Sequence, residues 1–217
     1  MNPALIELII LAGIAVFLFL RLRSVLGTRE GFEKPRMQPK NDAPKRDFKV
    51  IDGGEDKDIT DNVEKNSKSA KALKTIKEKD ETFTVNEFLS GARSAYEWIL
   101  MSFEKNEIDD IREILSEEVA EAFDSVVEQR ISQGLTIEAE FIGVREMKLV
   151  DASYNSKTKT AEIAVSFIGE MTSVVKNSSG EIVEGDSKQI KRQKDTWTFS
   201  KDILSDNPNW ILVATGE

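Results

Sequence analysis

The sequence predicts an α+β domain that follows a membrane-spanning helix and a polar linker. Apolar residues recur at helical spacing between positions 84 and 131, and residues 135–214 then alternate at strand spacing. An apolar run at the N-terminus predicts the spanning helix. We therefore divide the chain into a transmembrane anchor at 1–26, a flexible polar linker at 27–81 and a folded domain at 82–217.

The N-terminal apolar run covers residues 4–20 and is interrupted only by Glu7. Its length is at the lower end of what crosses a hydrocarbon core of about 30 Å. Arg21, Arg23 and Arg29 all follow the run, so the positive-inside rule predicts an outside N-terminus and a cytoplasmic C-terminal domain. The expected location is therefore the inner (cytoplasmic) membrane, with a single pass. A buried core helix is the alternative.

Residues 27–81 show no sustained periodicity and carry dense mixed charge, three prolines and the Gly53-Gly54 pair. Such a composition buries too little apolar surface to offset chain entropy, which predicts a flexible tether. The alternative is a polar helix over 62–79 with a narrow stripe of Ala70, Leu73 and Ile76, which would form only if a partner covered it.

Two capped helices are predicted next. Thr84 followed by Glu87 is a capping-box pattern that opens a helix running to about Glu104. Ser116 caps a second helix, which Gly134 ends.

Four strands follow, at about 135–150, 160–175, 182–200 and 210–214. The apolar parity of the first strand switches near Gly143, which predicts a bulge or bend. Helices followed by antiparallel strands predict an α+β domain with the helices on one face of a curved sheet.

Composition excludes several kinds of function. The chain has no cysteine and no histidine, which removes the commonest transition-metal ligands, the thiolate nucleophile and the imidazole base. The net charge of -9 argues against nucleic acid as a partner. We find no carboxylate on an apolar strand face beside either tyrosine, Tyr96 or Tyr154, so we expect no enzyme, no cofactor and no metal site.

Two tryptophan motifs carry a family resemblance. The segments Trp197-Thr198-Phe199-Ser200 and Pro208-Asn209-Trp210 resemble the last two strands of the Tim-44-like domain, named for mitochondrial inner-membrane translocase subunit 44. The layout of anchor, linker and domain is similar to that of the bacterial TimA putative adaptor family. The resemblance implies a cone-shaped domain like nuclear transport factor two, with helices and a curved sheet around an apolar pocket. It also implies an adaptor at a membrane that tethers chaperone or translocation machinery or contacts lipid.

Three groups of residues are candidates for function. The first is a set of aromatic residues that form either core or pocket: Phe88, Tyr96, Phe167, Trp197, Phe199 and Trp210. The second is Trp98 with Met101, which lie off the main apolar face of their helix and predict a shallow contact surface. The third is the basic group Lys188, Lys191, Arg192 and Lys194, which predicts contact with anionic lipid or an acidic partner. For each group the alternative is an ordinary structural role in the core or at a solvated surface.

The function that we expect is that of a membrane-anchored adaptor whose domain binds a protein partner from chaperone, translocation or secretory machinery. The alternative is a domain that binds lipid or an acyl chain at the membrane surface. The sequence leaves the oligomeric state open.

Overall fold

The structure is a computed structural model that describes residues 56–205 and 207–216. The predicted anchor at 1–26 and the predicted linker as far as residue 55 lie outside the described residues. Across 56–205 and 207–216, no helix is both long enough and apolar enough to cross a membrane.

The C-terminal half of the chain forms a four-stranded antiparallel sheet in the order β1-β2-β3-β4. The strands are β1 Thr136–Asn155, β2 Thr160–Lys176, β3 Ile182–Asp202 and β4 Ile211–Gly216. Asn177 closes the β2–β3 turn because its side-chain oxygen accepts hydrogen bonds from the N–H groups of Ser179 and Glu181 at 3.0 Å each. The predicted four-stranded antiparallel sheet is confirmed.

The helices precede the sheet. They are α1 Lys57–Thr60, α2 Lys68–Lys79, α3 Val85–Glu104, a 3₁₀ helix at Ile108–Ile114 and α4 Glu117–Ser132. The hydroxyl oxygens of Thr84 and Ser116 accept hydrogen bonds from the N–H groups of Glu87 and Val119, respectively, so both predicted caps are confirmed.

One face of the sheet meets the helices and forms the core. Along β2, alternate residues from Ala161 to Phe167 have no exposed surface, as a half-covered strand requires. Trp197 and Phe199 of β3 lie opposite Val165 and Ile163, and residues in direct register point to the same face. The predicted α+β arrangement of helices on an antiparallel sheet is therefore confirmed.

The first strand is irregular where the sequence predicts a bend. Its pairing with β2 shifts between Phe141 and Gly143 and again twice before Asp151. Ile142 is left out of the pairing and half-exposed, while Phe141 and Val144 pack against the core. Each extra residue bends the strand, so the bulge near Gly143 is confirmed.

Residues 56–81 differ from the prediction of a flexible linker. Leu73 and Ile76 of α2 are fully buried, and Ile59 of α1 joins the same core. The Ser69 hydroxyl also donates a hydrogen bond of 2.7 Å to Asp151 in β1. The narrow apolar stripe of α2 is enough to hold this helix in place because the sheet of the same chain covers it. The alternative of a polar helix over 62–79 required such a cover.

The side chain of Asp58 connects α1 to the start of α3. Its two carboxylate oxygens accept hydrogen bonds from the N–H groups of Val85 at 2.8 Å and Asn86 at 3.0 Å. These are two of the N–H groups that a helix leaves unpaired at its first turn. The ammonium of Lys77 in α2 binds the same carboxylate at 3.0 Å, so three helices meet at Asp58.

Candidate functional site

Two polar side chains, Tyr96 and Asp195, are hydrogen-bonded inside the core. The hydroxyl of Tyr96 in α3 donates to Asp195 in β3 at 2.6 Å, and the side-chain amide of Gln193 donates to the other carboxylate oxygen at 3.1 Å. Tyr96 has no exposed surface and Asp195 only 8%. Burial raises the pKa of Tyr96, and the adjacent carboxylate raises it further, so Tyr96 keeps its proton.

Aromatic rings hold Tyr96 in place. Its ring stacks on Phe167 with centroids 4.4 Å apart and meets Trp197 at 4.7 Å. The hydroxyl passes Gly169, where an added methyl group would lie 2.6 Å from the phenol oxygen. The position of the Tyr96 ring is therefore fixed by Phe167 and Trp197. Gly169, which has no side chain, leaves room for the hydroxyl to reach Asp195.

The expectation that no carboxylate lies beside a tyrosine on an apolar strand face is wrong. Asp195 lies opposite Phe167 in the β2–β3 register and shares the parity of Trp197 and Phe199. The sequence pattern did not reveal Asp195 because this residue directly follows the charged segment from Lys191 to Lys194. The available signal was its position two residues before Trp197, which places both side chains on one face.

A small cavity lies next to Asp195, with a volume of about 130 Å³. Both charged residues that line it, Glu104 and Asp195, are acidic. Burial raises the pKa of Glu104, whereas Arg130 and Lys191 oppose that increase. The remaining lining residues are mostly apolar or aromatic: Ile99, Leu100, Phe103, Phe123, Gln193, Trp197 and Thr215.

Arg130 of α4 contacts two residues that line this cavity, Phe103 and Glu104. Its guanidinium carbon is 4.3 Å from the centre of the Phe103 ring, and one of its nitrogens donates to the Phe103 carbonyl at 3.0 Å. Another nitrogen is 3.8 Å from the Glu104 carboxylate, which completes a partly buried ion pair. Arg130 joins the C-terminal end of α3 to α4 and is not among the residues that line the cavity.

The other aromatic candidates form a second cluster in the core. Phe88 contacts Trp210 at 4.8 Å and Phe199 at 6.0 Å between ring centroids. Trp210 is only partly buried and also meets Phe83 at 5.8 Å. Of the six predicted pocket or core residues, only Trp197 lines the cavity of about 130 Å³, and the other five pack against one another or their neighbours.

The second group, Trp98 and Met101, lies on the outer side of α3. Trp98 is 49% exposed, Met101 is half-buried, and Gly91 and Ser94 on the same side are exposed. We refer to Trp98 and Met101, with Gly91 and Ser94, as the α3 outer surface. Its role as a contact surface stays a prediction.

The structure divides the basic group between the two faces of β3. Arg192 and Lys194 lie opposite Glu170 and Ile168, and the Arg192 guanidinium binds the Glu170 carboxylate at 2.9 Å. Lys191 has the parity of Asp195 and lies near Glu104. Lys188 lies where the pairing jumps from Lys191 to Asp186. All four are exposed, yet they do not form one continuous patch.

A family model matches most of this domain. The Tim44-like domain matches residues 69–217, which is more than half of the chain. The chain belongs to the Tim44-like domain family. The Tim44-like match begins inside α2, in agreement with the packing of α2 on the sheet.

This Tim44-like protein has a solved structural neighbour. The intermembrane-space region of the chloroplast protein ARC6 is similar to it, with 9% identity and a TM-score of 0.36, over 57% of this chain and 94% of that chain. Among curated proteins, none matches. Within the described part of the Tim44-like chain, no group of three or more acidic side chains is arranged to hold a metal ion.

Proposed function

We propose that this protein is a non-enzymatic adaptor, anchored in the inner membrane by residues 1–26, whose Tim44-like domain binds a protein partner on the cytoplasmic side. The family is associated with protein translocation and with membrane-associated adaptor roles. The partner class that we propose is a component of chaperone, translocation or secretory machinery. The cone shape that the resemblance implies belongs to the same proposal.

The observation that carries the proposal is that aromatic side chains fill the interior of the domain. Tyr96, Phe167 and Trp197 occupy the space in front of the sheet, and the cavity beside them measures about 130 Å³. Sites for drug-sized molecules usually measure roughly 300–1,000 Å³. The cavity beside Trp197 is smaller than that range, which supports recognition mainly at the surface.

Tyr96 and Asp195 also support a role other than catalysis. A general base needs an accessible oxygen and a pKa close to the working pH. Tyr96 is fully buried, and its pKa is raised well above its usual range. The hydrogen bond from Tyr96 is therefore better suited to holding Asp195 in place than to transferring a proton.

The α3 outer surface is the proposed contact for the protein partner. An indole that is about half exposed beside small residues offers apolar area that costs little to desolvate. Tryptophan is also among the residues that most often dominate binding energy at protein interfaces.

The second candidate function is contact with membrane lipid. The strand β3 exposes Ile182, Val183 and Ile190 and also carries the exposed Lys188, a combination that suits an anionic lipid surface. An acyl-chain carrier is less well supported. A second depression of about 330 Å³ is lined mainly by polar and charged residues such as Lys79, Asp80 and Lys201.

A photocrosslinking experiment in intact cells tests the proposal. The full chain would carry benzoylphenylalanine at position 94, one helical turn from Trp98. The crosslinked products would be isolated from the membrane fraction and identified by mass spectrometry. We expect a discrete protein adduct in that fraction. The double variant Trp98→Ser, Met101→Ser should lose most of it with an unchanged melting temperature, because the apolar contact is removed while the core stays intact.

The matched control is Val126→Ser, Ile131→Ser, which removes two exposed apolar side chains from α4 and should keep the adduct. A lipid adduct in place of a protein adduct would support the second candidate function. Equal adduct levels in all variants, or products found outside the membrane fraction, would contradict the proposal.

A further inference from the structure

The α3 outer surface is the middle of a longer line of residues along the helix. The four residues of that surface and one charged residue at each end follow one another at alternating steps of four and three, which keeps side chains on one line of an α-helix. All but the half-buried Met101 are exposed. We refer to this line as the α3 stripe, and in chain order it consists of Glu87, Gly91, Ser94, Trp98, Met101 and the C-cap residue Lys105.

Gly91 lies inside α3 although the fold does not require a glycine there. An added methyl group at Gly91 would meet no described atom within 4 Å. Glycine is less favourable than alanine in the interior of a helix, and it is useful where a neighbour approaches the helix closely. Gly91 therefore indicates a close neighbour that the isolated domain does not contain.

The α3 stripe is complementary to itself when it is read in the opposite direction. Its midpoint is position 96, and residues at equal distances on either side of that position differ in charge or in size. The three resulting pairs are Glu87 with Lys105, Gly91 with Met101, and Ser94 with Trp98. Two copies of α3 that packed antiparallel about a twofold axis would therefore set each acid against a base and each small residue against a large one.

The two charged ends of the α3 stripe have no ion pair within the described part of the chain. Glu87 accepts a hydrogen bond from the Thr84 hydroxyl at 3.0 Å through one carboxylate oxygen, and its other oxygen has no donor there. Lys105 is exposed, and its ammonium group makes no contact with a carboxylate at 56–205 or 207–216. The two residues are about 27 Å apart along the helix, so an ion pair at each end would fix the register of two packed helices.

We propose that the α3 stripe of one copy packs against the α3 stripe of a second copy as an antiparallel helix pair. Trp98 then covers Ser94 of the partner subunit, and Glu87 meets Lys105 of the partner subunit. This inference rests on the proposed contact surface and adds its regulation, because a second copy covers Trp98 until the protein partner displaces it. The contact is weak, since each copy contributes only two large apolar side chains, Trp98 and Met101.

The register of the pair can be measured because the chain contains no cysteine. Cells would co-express the full chain with Gly91→Cys and a differently tagged full chain with Met101→Cys, and a short bismaleimide would crosslink neighbouring thiols. These positions face each other in the proposed pair, so we expect a crosslinked dimer that carries both tags. Either variant alone should give no such dimer, because equivalent positions in the two copies lie about 15 Å apart along the pair.

Charge variants in the same two cysteine chains test the ion pairs. Glu87→Lys in both chains sets like charges against each other at both ends, and we expect the yield of crosslinked dimer to fall about tenfold, which two exposed ion pairs can account for. Adding Lys105→Glu to both chains restores opposite charges and should restore the yield. A role of Glu87 in the helix cap alone would allow no such rescue. The matched control is Glu121→Lys, an exposed position on α4, which should leave the yield unchanged.

Three results would each overturn the inference. They are the absence of a dimer that carries both tags, a dimer of equal yield from either cysteine variant alone, and a yield that does not respond to the charge variants.

The two proposals can fail separately. If benzoylphenylalanine at position 94 gives an adduct with a different protein and no crosslink forms between positions 91 and 101, the self-association is rejected and the adaptor function is kept. If the crosslink forms and follows the charge variants while the adduct at position 94 contains only a second copy of this chain, the self-association is kept and the adaptor contact at this surface is rejected.

Discussion

At the scale of single residues, Tyr96 organises the interior of the domain. It belongs to the apolar face of α3, yet its hydroxyl makes the buried hydrogen bond to Asp195. The ring fills space against Phe167 and Trp197, and the hydroxyl partly offsets the cost of burying a carboxylate. One side chain thus serves both the packing and the electrostatics of the core.

The variant Tyr96→Phe should destabilise the domain by about 1–3 kcal/mol, because Asp195 stays buried while it loses one donor. Chemical unfolding of the full chain in urea measures the change. The half-buried Tyr154→Phe is the control and should change stability by less than about 0.5 kcal/mol. A change for Tyr96→Phe as small as that of the control would mean that Asp195 does not depend on this hydrogen bond.

At the scale of elements, short ionic contacts connect the helices to one another and to the sheet. Asp80 at the end of α2 binds the ammonium of Lys201 in β3 at 3.1 Å, and both side chains are largely buried. Asp58 joins α1 to the first turn of α3 and to Lys77. These contacts link segments that are far apart in the chain, and they depend on charge.

The stability of the domain should therefore fall in acid. Hydrogen bonds from Thr82 and then Lys201 lower the pKa of Asp80, although burial opposes them. A carboxylate whose pKa is lower in the folded than in the unfolded state stabilises the fold above its unfolded value of about 3.9. That contribution is lost as the pH falls through the lowered pKa.

Urea midpoints measured across pH would test this expectation. Asp80→Asn should lower the midpoint at neutral pH and reduce the loss of stability below about pH 4, since the ionisable group is gone. The exposed Asp110→Asn is the matched control and should follow the wild-type curve. If Asp80→Asn also followed the wild-type curve, the contact with Lys201 would contribute no net stability.

At the scale of the whole molecule, the folded domain begins earlier than the sequence pattern indicates. The core includes Ile59 from α1 and Leu73 with Ile76 from α2, and all three precede residue 82. A domain that started at 82 would expose the surfaces that these side chains cover. We therefore place the start of the domain at or before residue 56.

Two fragments test that boundary. The fragment 56–217 should unfold cooperatively, whereas 82–217 should not, because the loss of each buried leucine or isoleucine costs about 2–5 kcal/mol. Total stabilities are typically only about 5–15 kcal/mol, so losing three such residues removes most of the margin. Thermal unfolding followed by circular dichroism gives the comparison. A cooperative melt of 82–217 close to that of 56–217 would show that α1 and α2 are dispensable.

The features of this protein that depend on local chemistry can be predicted from its sequence. Thr84 and Ser116 mark the starts of α3 and α4, the alternation from Ala161 to Phe167 marks a half-covered strand, and the parity switch near Gly143 marks a bulge. Caps, strand parity and turns depend on only a few neighbouring residues, so they can be recognised in the sequence alone.

The features that join distant segments become visible only in the folded domain. The narrow stripe of α2 is stable because the sheet covers it, and no window of sequence around Leu73 contains that sheet. In the sequence, Asp195 is one of several charged residues in a row. In the structure, the β2–β3 register places it opposite Phe167, and Tyr96 of α3 donates a hydrogen bond to it. The cavity beside Glu104 is formed by α3, α4, β3 and β4 together, so its acidic and aromatic lining exists only once those four elements have packed.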